Sequence, residues 1–275
     1  MLKDVLVNLS VADGRDPACE YAMSVAKAFN AHLTGIAIAY DPTVPAIAGG
    51  CEVMLPGWVE EERGKAAERA SSQLRSSKQQ RSARGCQRRH ACSTRLWARP
   101  PISSRRSREA SIFRLCGKTI RNTEYEDLII TAALFDSGRP VLIVPYIQAE
   151  GLGLNRVMLC WDGSRNAARA IADAQPFLAR AKAIELVTVS RDIKNEGLHD
   201  DIARHLARHD LNVEVENVIA TDLDVPDAIL SHAADTSTDF IVMGGYGHSR
   251  MREFILGGAT RGMLATMTVP TLMSH

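Results

Sequence analysis

Hydrophobic and polar positions in the C-terminal half of the chain alternate between strand-like and helix-like patterns. Short apolar runs are followed by longer stretches with apolar residues three and four positions apart, the spacing typical of amphipathic helices. Because each connection is long enough to hold a helix, we expect a parallel sheet with helices on both faces and ligands at the carboxyl ends of the strands. The predicted strands are Val157–Trp161, Ile184–Val189, Val213–Ile219, Phe240–Met243 and Thr271–Met273, and the predicted helices lie near 164–181, 196–209, 225–236 and 250–266.

Self-similarity indicates that this pattern occurs twice. Residues 5–10 align with residues 157–162, and a small polar turn and an alanine-rich stretch follow each of them. Residues 139–144 align with residues 269–274, and both are short apolar runs with a proline near the start. Such a repeat predicts two copies of one structural unit in tandem.

The two copies predict two α/β domains, at residues 1–148 and 153–275. Each is expected to be an open parallel five-stranded sheet flanked by helices. The first copy begins like the second, with strands near 4–9 and 33–40 and a helix near 16–30. It then loses the pattern, so we expect a disrupted first domain.

An Arg/Ser-rich segment, residues 66–122, causes this interruption. Between residues 71 and 121 there are twelve Arg, two Lys and one acid, Glu109, a balance of +13 that leaves −12 for the rest of a chain whose net charge is +1. Nothing in the segment resembles the third strand, third helix or fourth strand of the other copy. Two explanations stay open: a shifted reading frame of a GC-rich gene, and a genuine disordered or basic insertion.

A glycine motif near the C-terminus carries the clearest chemistry. Gly244, Gly247 and Gly257 follow an apolar strand with the spacing G-x2-G-x9-G. Glycines after a buried strand let backbone N–H groups approach an anion without a Cβ in the way. The motif lacks the Gly-Lys-Ser/Thr of the Walker loop. It therefore predicts a phosphate site of another kind.

These features resemble the universal stress protein family. The resemblance rests on the Asp after the first strand, the Met-Gly-x-x-Gly segment, the Gly-x-x-Thr turn and the final Val-Pro strand. It covers the whole second copy but only the two ends of the first. It implies a tandem member of the family, with pairing through the last strands and with ATP or another adenine nucleotide at the strand ends, with or without Mg²⁺.

The resemblance also implies roles for individual residues. Asp162 matches an acidic residue beside the adenosine, and Val189 matches a position that borders the adenine. Gly258 departs from the family pattern, which usually has Ser or Thr there, and Thr260 is the nearest substitute. One lost neutral hydrogen bond is worth about 0.5–1.5 kcal/mol, which weakens a site without abolishing it. In the first copy Ser10 replaces the acidic residue, so we expect no nucleotide there. The glycines assigned to the phosphates are Gly244, Gly247 and Gly257.

Three functions remain as hypotheses. The first is a stress-response protein that binds an adenine nucleotide as a regulatory ligand in its C-terminal domain. The second is an interaction module without a ligand, in which residues 162–164 form only a turn with a helix cap and the glycines at 257–258 only permit close packing. The third is nucleic-acid binding through residues 71–121, which have two aromatic residues, Trp97 and Phe113, and no periodic pattern.

The last strand of each copy predicts how the copies associate. Residues 141–144 and 271–273 follow Pro140 and Pro270, and proline is tolerated at a sheet edge, which tends to recruit a partner strand. We therefore expect these two strands to lie close together across a pseudo-twofold axis. A homo-oligomer is compatible with the same pattern.

Composition excludes several other classes of protein. The chain has 275 residues, 45% hydrophobic and 24% charged, with no apolar run near the ~18 residues of a membrane span. Without a signal-peptide pattern, the expected location is the cytoplasm. The six cysteines show no CxxC pair or metal spacing, and Cys160 is expected to be a small buried hydrophobic residue. No catalytic group or metal site is predicted, so an enzyme is not expected, although the resemblance allows slow ATP hydrolysis with Mg²⁺.

Overall fold

A computed structural model describes most of the chain. It covers residues 2–9, 16–38, 94–97, 112–118, 124–190, 199–220, 223–245 and 258–275, together with seven helical positions between residues 61 and 75. Gly247 and Gly257 lie outside these described residues.

The strands are β1 Asp4–Asn8, β2 His32–Ile38, β3 Thr94–Trp97, β4 Ile112–Lys118, β5 Val141–Pro145, β6 Arg156–Cys160, β7 Ala183–Ser190, β8 Glu214–Ile219, β9 Phe240–Gly244 and β10 Thr271–Ser274. The longer helices are α1 Pro17–Phe29, α2 Glu124–Asp136, α3 Arg165–Leu178, α4 Asp200–Ala207, α5 Val225–Asp235 and α6 Gly258–Thr266.

The ten strands form one sheet in the order β3-β2-β1-β4-β5-β10-β9-β6-β7-β8. Each half of the chain contributes five parallel strands, and the order within one half mirrors the order within the other. Helices flank the sheet, and apolar side chains form one core cluster on each face. The α/β fold expected from the sequence is confirmed, and its strand order is that of a doubly wound fold.

The two halves meet where β5 pairs with β10. This pairing is antiparallel, with Ile143 opposite Thr271 and Val141 opposite Met273. Every residue of both strands is buried. The proximity predicted for residues 141–144 and 271–273 is confirmed, and the two strands are hydrogen-bonded neighbours.

The Arg/Ser-rich segment requires a correction. The sequence analysis found no counterpart of the third and fourth strands within residues 66–122, but β3 and β4 both lie there. β4 pairs with β1 on one side and β5 on the other, and β3 pairs with β2. These two strands are stabilised by hydrogen bonds to their neighbours. Because their local composition is strongly charged, the hydrophobic pattern of the sequence does not predict them. The structure therefore supplies the third and fourth strands that the sequence analysis did not find. The aberrant or disordered character of the segment stays a prediction, because the third helix and most of residues 66–122 lie outside the described residues.

Local signals explain where the well-described helices begin. Asp16 caps α1 by accepting from the N–H of Cys19 at 3.0 Å, and Pro17 occupies the first turn. The expected cap of α3 is confirmed, because the Ser164 hydroxyl accepts from the N–H of Ala167 at 3.1 Å. Observed helix and strand ends in the second half agree with the predicted ones to within a few residues, except that the predicted helices near 196–209 and 250–266 are described only from residues 200 and 258.

Aromatic packing holds the halves together on one face of the sheet. The rings of Phe29 in α1 and Phe177 in α3 pack edge to face with centroids 5.0 Å apart. Phe177 also stacks on Phe240 of β9 at 5.1 Å. The Arg180 guanidinium lies 4.3 Å from the Phe29 ring centre and donates to the carbonyl of Ala28. These contacts link helices of both halves to the central strands.

Candidate functional site

The carboxyl ends of β7, β6 and β9 bring three of the predicted site residues to one edge of the sheet. The register of β6 with β7 places Asp162 and Val189 at the same level, each two residues beyond a paired position. The register of β6 with β9 places Gly244 one residue before that level. Adjacent strands lie about 4.8 Å apart, so the three positions are neighbours. We call this edge the crevice.

The crevice lies at the point where the chain reverses direction across the sheet. From β6, successive strands add on one side through β7 and β8, and then on the other side through β9 and β10. The connections after β6 and β9 therefore diverge, which opens a gap at the carboxyl ends of these two strands. Asp162 follows β6 and Gly244 ends β9, so these residues are on either side of the gap.

Asp162 forms the turn that starts α3. Its side chain is exposed, and Oδ1 accepts from the N–H of Ser164 at 2.9 Å. Gly163 has a φ of 74°, which favours glycine in this turn. Within the described residues the second carboxylate oxygen of Asp162 has no partner. The turn interpretation is thus correct for one oxygen and leaves the other for a ligand.

Gly244 is needed for close packing against α3, and Gly245 lies close to a leucine side chain. A Cβ on Gly244 would lie 2.6 Å from the amide nitrogen of Ala167 in α3 and 2.9 Å from the carbonyl carbon of Asn166. A Cβ on Gly245 would lie 2.6 Å from Leu134 of α2, in the other half of the chain. Packing alone therefore accounts for glycine at position 244, where the neighbours are backbone atoms, but not at position 245, where a leucine side chain can move. The sequence analysis gave a packing explanation only for residues 257 and 258.

The backbone of Gly245 is already engaged in the fold. Its N–H donates to the carbonyl of Ser274 at 2.8 Å, and its carbonyl accepts from Nδ2 of the buried Asn166 at 2.7 Å. This N–H is therefore not available to a phosphate. Asn166, which the sequence analysis did not identify, ties the start of α3 to the end of β9 across the gap.

The remaining glycine positions give limited structural information. Gly258 is the first described residue of α6, inside the helix predicted near residues 250–266. Thr260, the proposed substitute for the missing hydroxyl, is 3% exposed. It lies in the first turn of α6, and its role as a ligand donor stays a prediction.

A buried polar cluster lies directly behind the crevice and was missed by the sequence analysis. The Thr188 hydroxyl donates to the carbonyl of Trp161 at 3.0 Å and lies 2.8 Å from Nδ1 of His199. Thr188 precedes Val189 in β7, and Trp161 precedes Asp162. Because the hydroxyl has only one proton, Nδ1 of His199 must carry the proton that Thr188 accepts. In the sequence, the only sign of this cluster was Thr188, a polar residue within the apolar run of β7. Nothing in the sequence indicated a role for His199.

The chemistry around the crevice does not resemble that of an activated nucleophile. Burial, with the Asp162 and Glu185 carboxylates nearby, raises the pKa of the Cys160 thiol to about 12. The thiol is therefore neutral at physiological pH, and the residue packs against the core but is half-buried rather than buried as expected. In the described part of the chain, no three or more His, Cys, Asp or Glu side chains are grouped so as to hold a metal ion.

A doubly wound parallel sheet with a crevice at its reversal point defines a class of α/β proteins that often bind ligands there. Within that class, residues 153–275 match the model of the universal stress protein family. The C-terminal half of the chain is therefore similar to this family, and the comparisons support a UspA-like protein.

Relatives and solved structures agree with this assignment. The chain is 25% identical over 145 residues to universal stress protein Slr1230 of Synechocystis. The matched region covers 49% of this chain and 46% of that relative, so the match spans only about half the length of the relative. A solved universal stress protein from Archaeoglobus fulgidus matches 99% of this chain and 96% of its own, with a TM-score of 0.70 and 17% identity. A solved chain from Pseudomonas aeruginosa UCBPP-PA14 matches 99% of this chain and 93% of its own, with a TM-score of 0.64 and 13% identity. These two structures support the fold over nearly the whole chain.

None of the helices in the described part of the chain has the length and apolar character needed to span a membrane.

Proposed function

We propose that the C-terminal half binds an adenine nucleotide, ATP with or without Mg²⁺, as a regulatory ligand in the crevice. The observation that carries this proposal is the position of Asp162 and Gly244 on either side of the reversal point of the sheet. Ligands of doubly wound folds bind at this point because the diverging connections leave a gap there.

The residues around the gap supply suitable chemistry for the nucleoside. The unpartnered carboxylate oxygen of Asp162 can accept a hydrogen bond from a ribose hydroxyl. Val189 is half-buried and packs against the core, so it offers an apolar border for a base. The N-terminus of α3, which begins beside Asp162, favours negative charge nearby.

The phosphates would lie further along the loop. Since the N–H of Gly245 is used within the sheet, phosphate oxygens would have to bind backbone N–H groups between residues 246 and 258. Gly247 and Gly257 would permit the close approach that such binding needs. When bound, Mg²⁺ would be held mainly by phosphate oxygens and water.

One observation favours the alternative of a ligand-free interaction module. Packing against the backbone of α3 explains Gly244 without a ligand. The two functions differ in a simple prediction, because only a protein that binds ATP in its folded state gains stability from it. Nucleic-acid binding through residues 71–121 stays a prediction, since most of that segment lies outside the described residues.

Thermal unfolding with and without ATP and Mg²⁺ tests the proposal. At a ligand concentration 100 times the dissociation constant, binding adds about 2.7 kcal/mol to the stability of the folded state and raises the melting temperature. Asp162→Ala and Gly247→Val should reduce or abolish this rise. Asp136→Ala, an exposed aspartate in the first half, is the matched control and should keep it. An unchanged melting temperature of the wild-type chain in millimolar ATP would contradict the proposal and support the ligand-free module.

A further inference from the structure

Two histidines lie next to each other on the surface at the end of α4. His205 is in the last turn of the helix, and His209 is in the turn that follows it. Both side chains are exposed, and their ring centres are 4.7 Å apart with an angle of 63° between the planes. Neither residue belongs to the crevice, and the sequence analysis gave them no role.

The backbone holds the two rings on the same side of the helix. Residues four apart are neighbours on a helical surface. The N–H of His209 donates to the carbonyl of Leu206 at 2.9 Å, and the N–H of Leu211 donates to the same carbonyl at 3.1 Å. Leu206 is completely buried, so it anchors this turn to the core. The separation of the two backbone positions is therefore set by the fold.

We propose that His205 and His209 form a two-imidazole site for a divalent transition-metal ion. An imidazole nitrogen lies about 2.0–2.1 Å from a bound zinc ion, so two nitrogens on one ion lie roughly 3 Å apart. The ring centres are 4.7 Å apart, and we expect rotation about the side-chain bonds to bring one nitrogen of each ring to this separation. Water completes the coordination, because no group of three metal-ligating side chains occurs in the described ranges.

The charged neighbours are compatible with a bound cation. The guanidinium of Arg204 is directed away from the pair, because it donates to Asp201 at 2.9 Å and to the carbonyl of Asp200 at 3.0 Å. Asp210 follows His209 and is exposed. The site is open and has only two protein ligands, so we expect an exchangeable ion. Imidazole ligands suit Cu²⁺, Ni²⁺ and Zn²⁺, and the expected order of affinity places Cu²⁺ above Ni²⁺ and Zn²⁺.

Calorimetric titration of the untagged full-length chain with NiCl₂ tests the proposal. We expect saturable binding whose affinity falls by about tenfold or more, or by at least 1.4 kcal/mol, in both His205→Ala and His209→Ala, because each variant loses one of two ligands. His32→Ala, a histidine in β2 of the other half, should bind as the wild type does. Electron paramagnetic resonance of the Cu²⁺ complex should show nitrogen ligands that each of the two alanine variants loses in part.

Several outcomes would overturn the proposal. Equal Ni²⁺ affinity in the wild type, His205→Ala and His209→Ala would assign any binding to other groups, and no saturable binding would reduce the pair to a contact between two rings. If an alanine variant loses helical circular dichroism, His205→Gln and His209→Gln repeat the test with side chains of closer size. Nucleotide is absent throughout, so the result does not depend on the proposed function.

Discussion

Replacing Gly244 by alanine separates a packing role from a ligand-binding role at the centre of the crevice. The added methyl group would lie 2.6 Å from the amide nitrogen of Ala167, whereas comfortable contacts begin near 3.5 Å. The start of α3 would therefore have to move by roughly 0.9 Å. That movement strains the cap made by Ser164, at 3.1 Å, and the bond from Asn166 to Gly245, at 2.7 Å.

The expected cost follows from these contacts. Overpacking costs about 1–3 kcal/mol, and each of the two weakened hydrogen bonds about 0.5 kcal/mol, so Gly244→Ala should lower the free energy of unfolding by about 2–4 kcal/mol. Urea unfolding followed by tryptophan fluorescence, without nucleotide, measures this change. Gly35→Ala is the matched control, because a Cβ in that strand would meet Leu9 at an ordinary 3.4 Å. A free energy for Gly244→Ala within about 0.5 kcal/mol of the wild type would refute the packing argument.

Two further substitutions test buried polar groups. Tyr21 has a buried hydroxyl without a partner in the described part of the chain, so Tyr21→Phe should raise the free energy of unfolding by about 1 kcal/mol in a urea titration at pH 7. Burial, with Asp239 nearby, raises the pKa of this phenol above its value of about 10 in the unfolded chain. The wild type should therefore lose stability as the pH rises above about 10, and the variant, which has no phenol at this position, should not lose this contribution. Lower stability of the variant at pH 7 would contradict this reasoning. Thr188→Val leaves the Trp161 carbonyl and His199 without their shared partner and should cost about 1–3 kcal/mol in the same titration, whereas Thr188→Ser keeps the hydroxyl and should cost about 1 kcal/mol or less. Equal losses in the two variants would show that the hydrogen bonds contribute little.

Local patterns predicted most of the second half because each element there has its own sequence signal. The apolar runs, the cap at Ser164 and the long crossovers require only neighbouring residues to be recognised, and the structure confirms them. β3 and β4 were not predicted, because their order depends on hydrogen bonds to β2, β1 and β5, which are distant in sequence. Non-local pairing of this kind leaves little trace in a charged local composition.

The candidate site was predictable only in part, for a related reason. Asp162 and Gly244 could be assigned from motif spacing, and the strand register places them together. The contact of Gly244 with α3 could not be foreseen, because it depends on the distance between a helix and a strand. Thr188 and His199 are eleven residues apart and meet only in the folded chain. The spacing of the motif residues in the sequence thus identified the position of the crevice, whereas the contacts that shape the crevice could be identified only from the structure.

The pairing of β5 with β10 explains why the first half matters even where it lacks the glycine motif. Within the C-terminal half, β9 covers only one side of β10. Without β5, the fully buried Leu272 and Met273 would lie on an open edge, and unpaired apolar edges recruit other strands. The first half closes this edge and also contacts Gly245 through Leu134, where the predicted phosphate loop begins. Its structural contribution is therefore to complete the sheet that holds the crevice in shape.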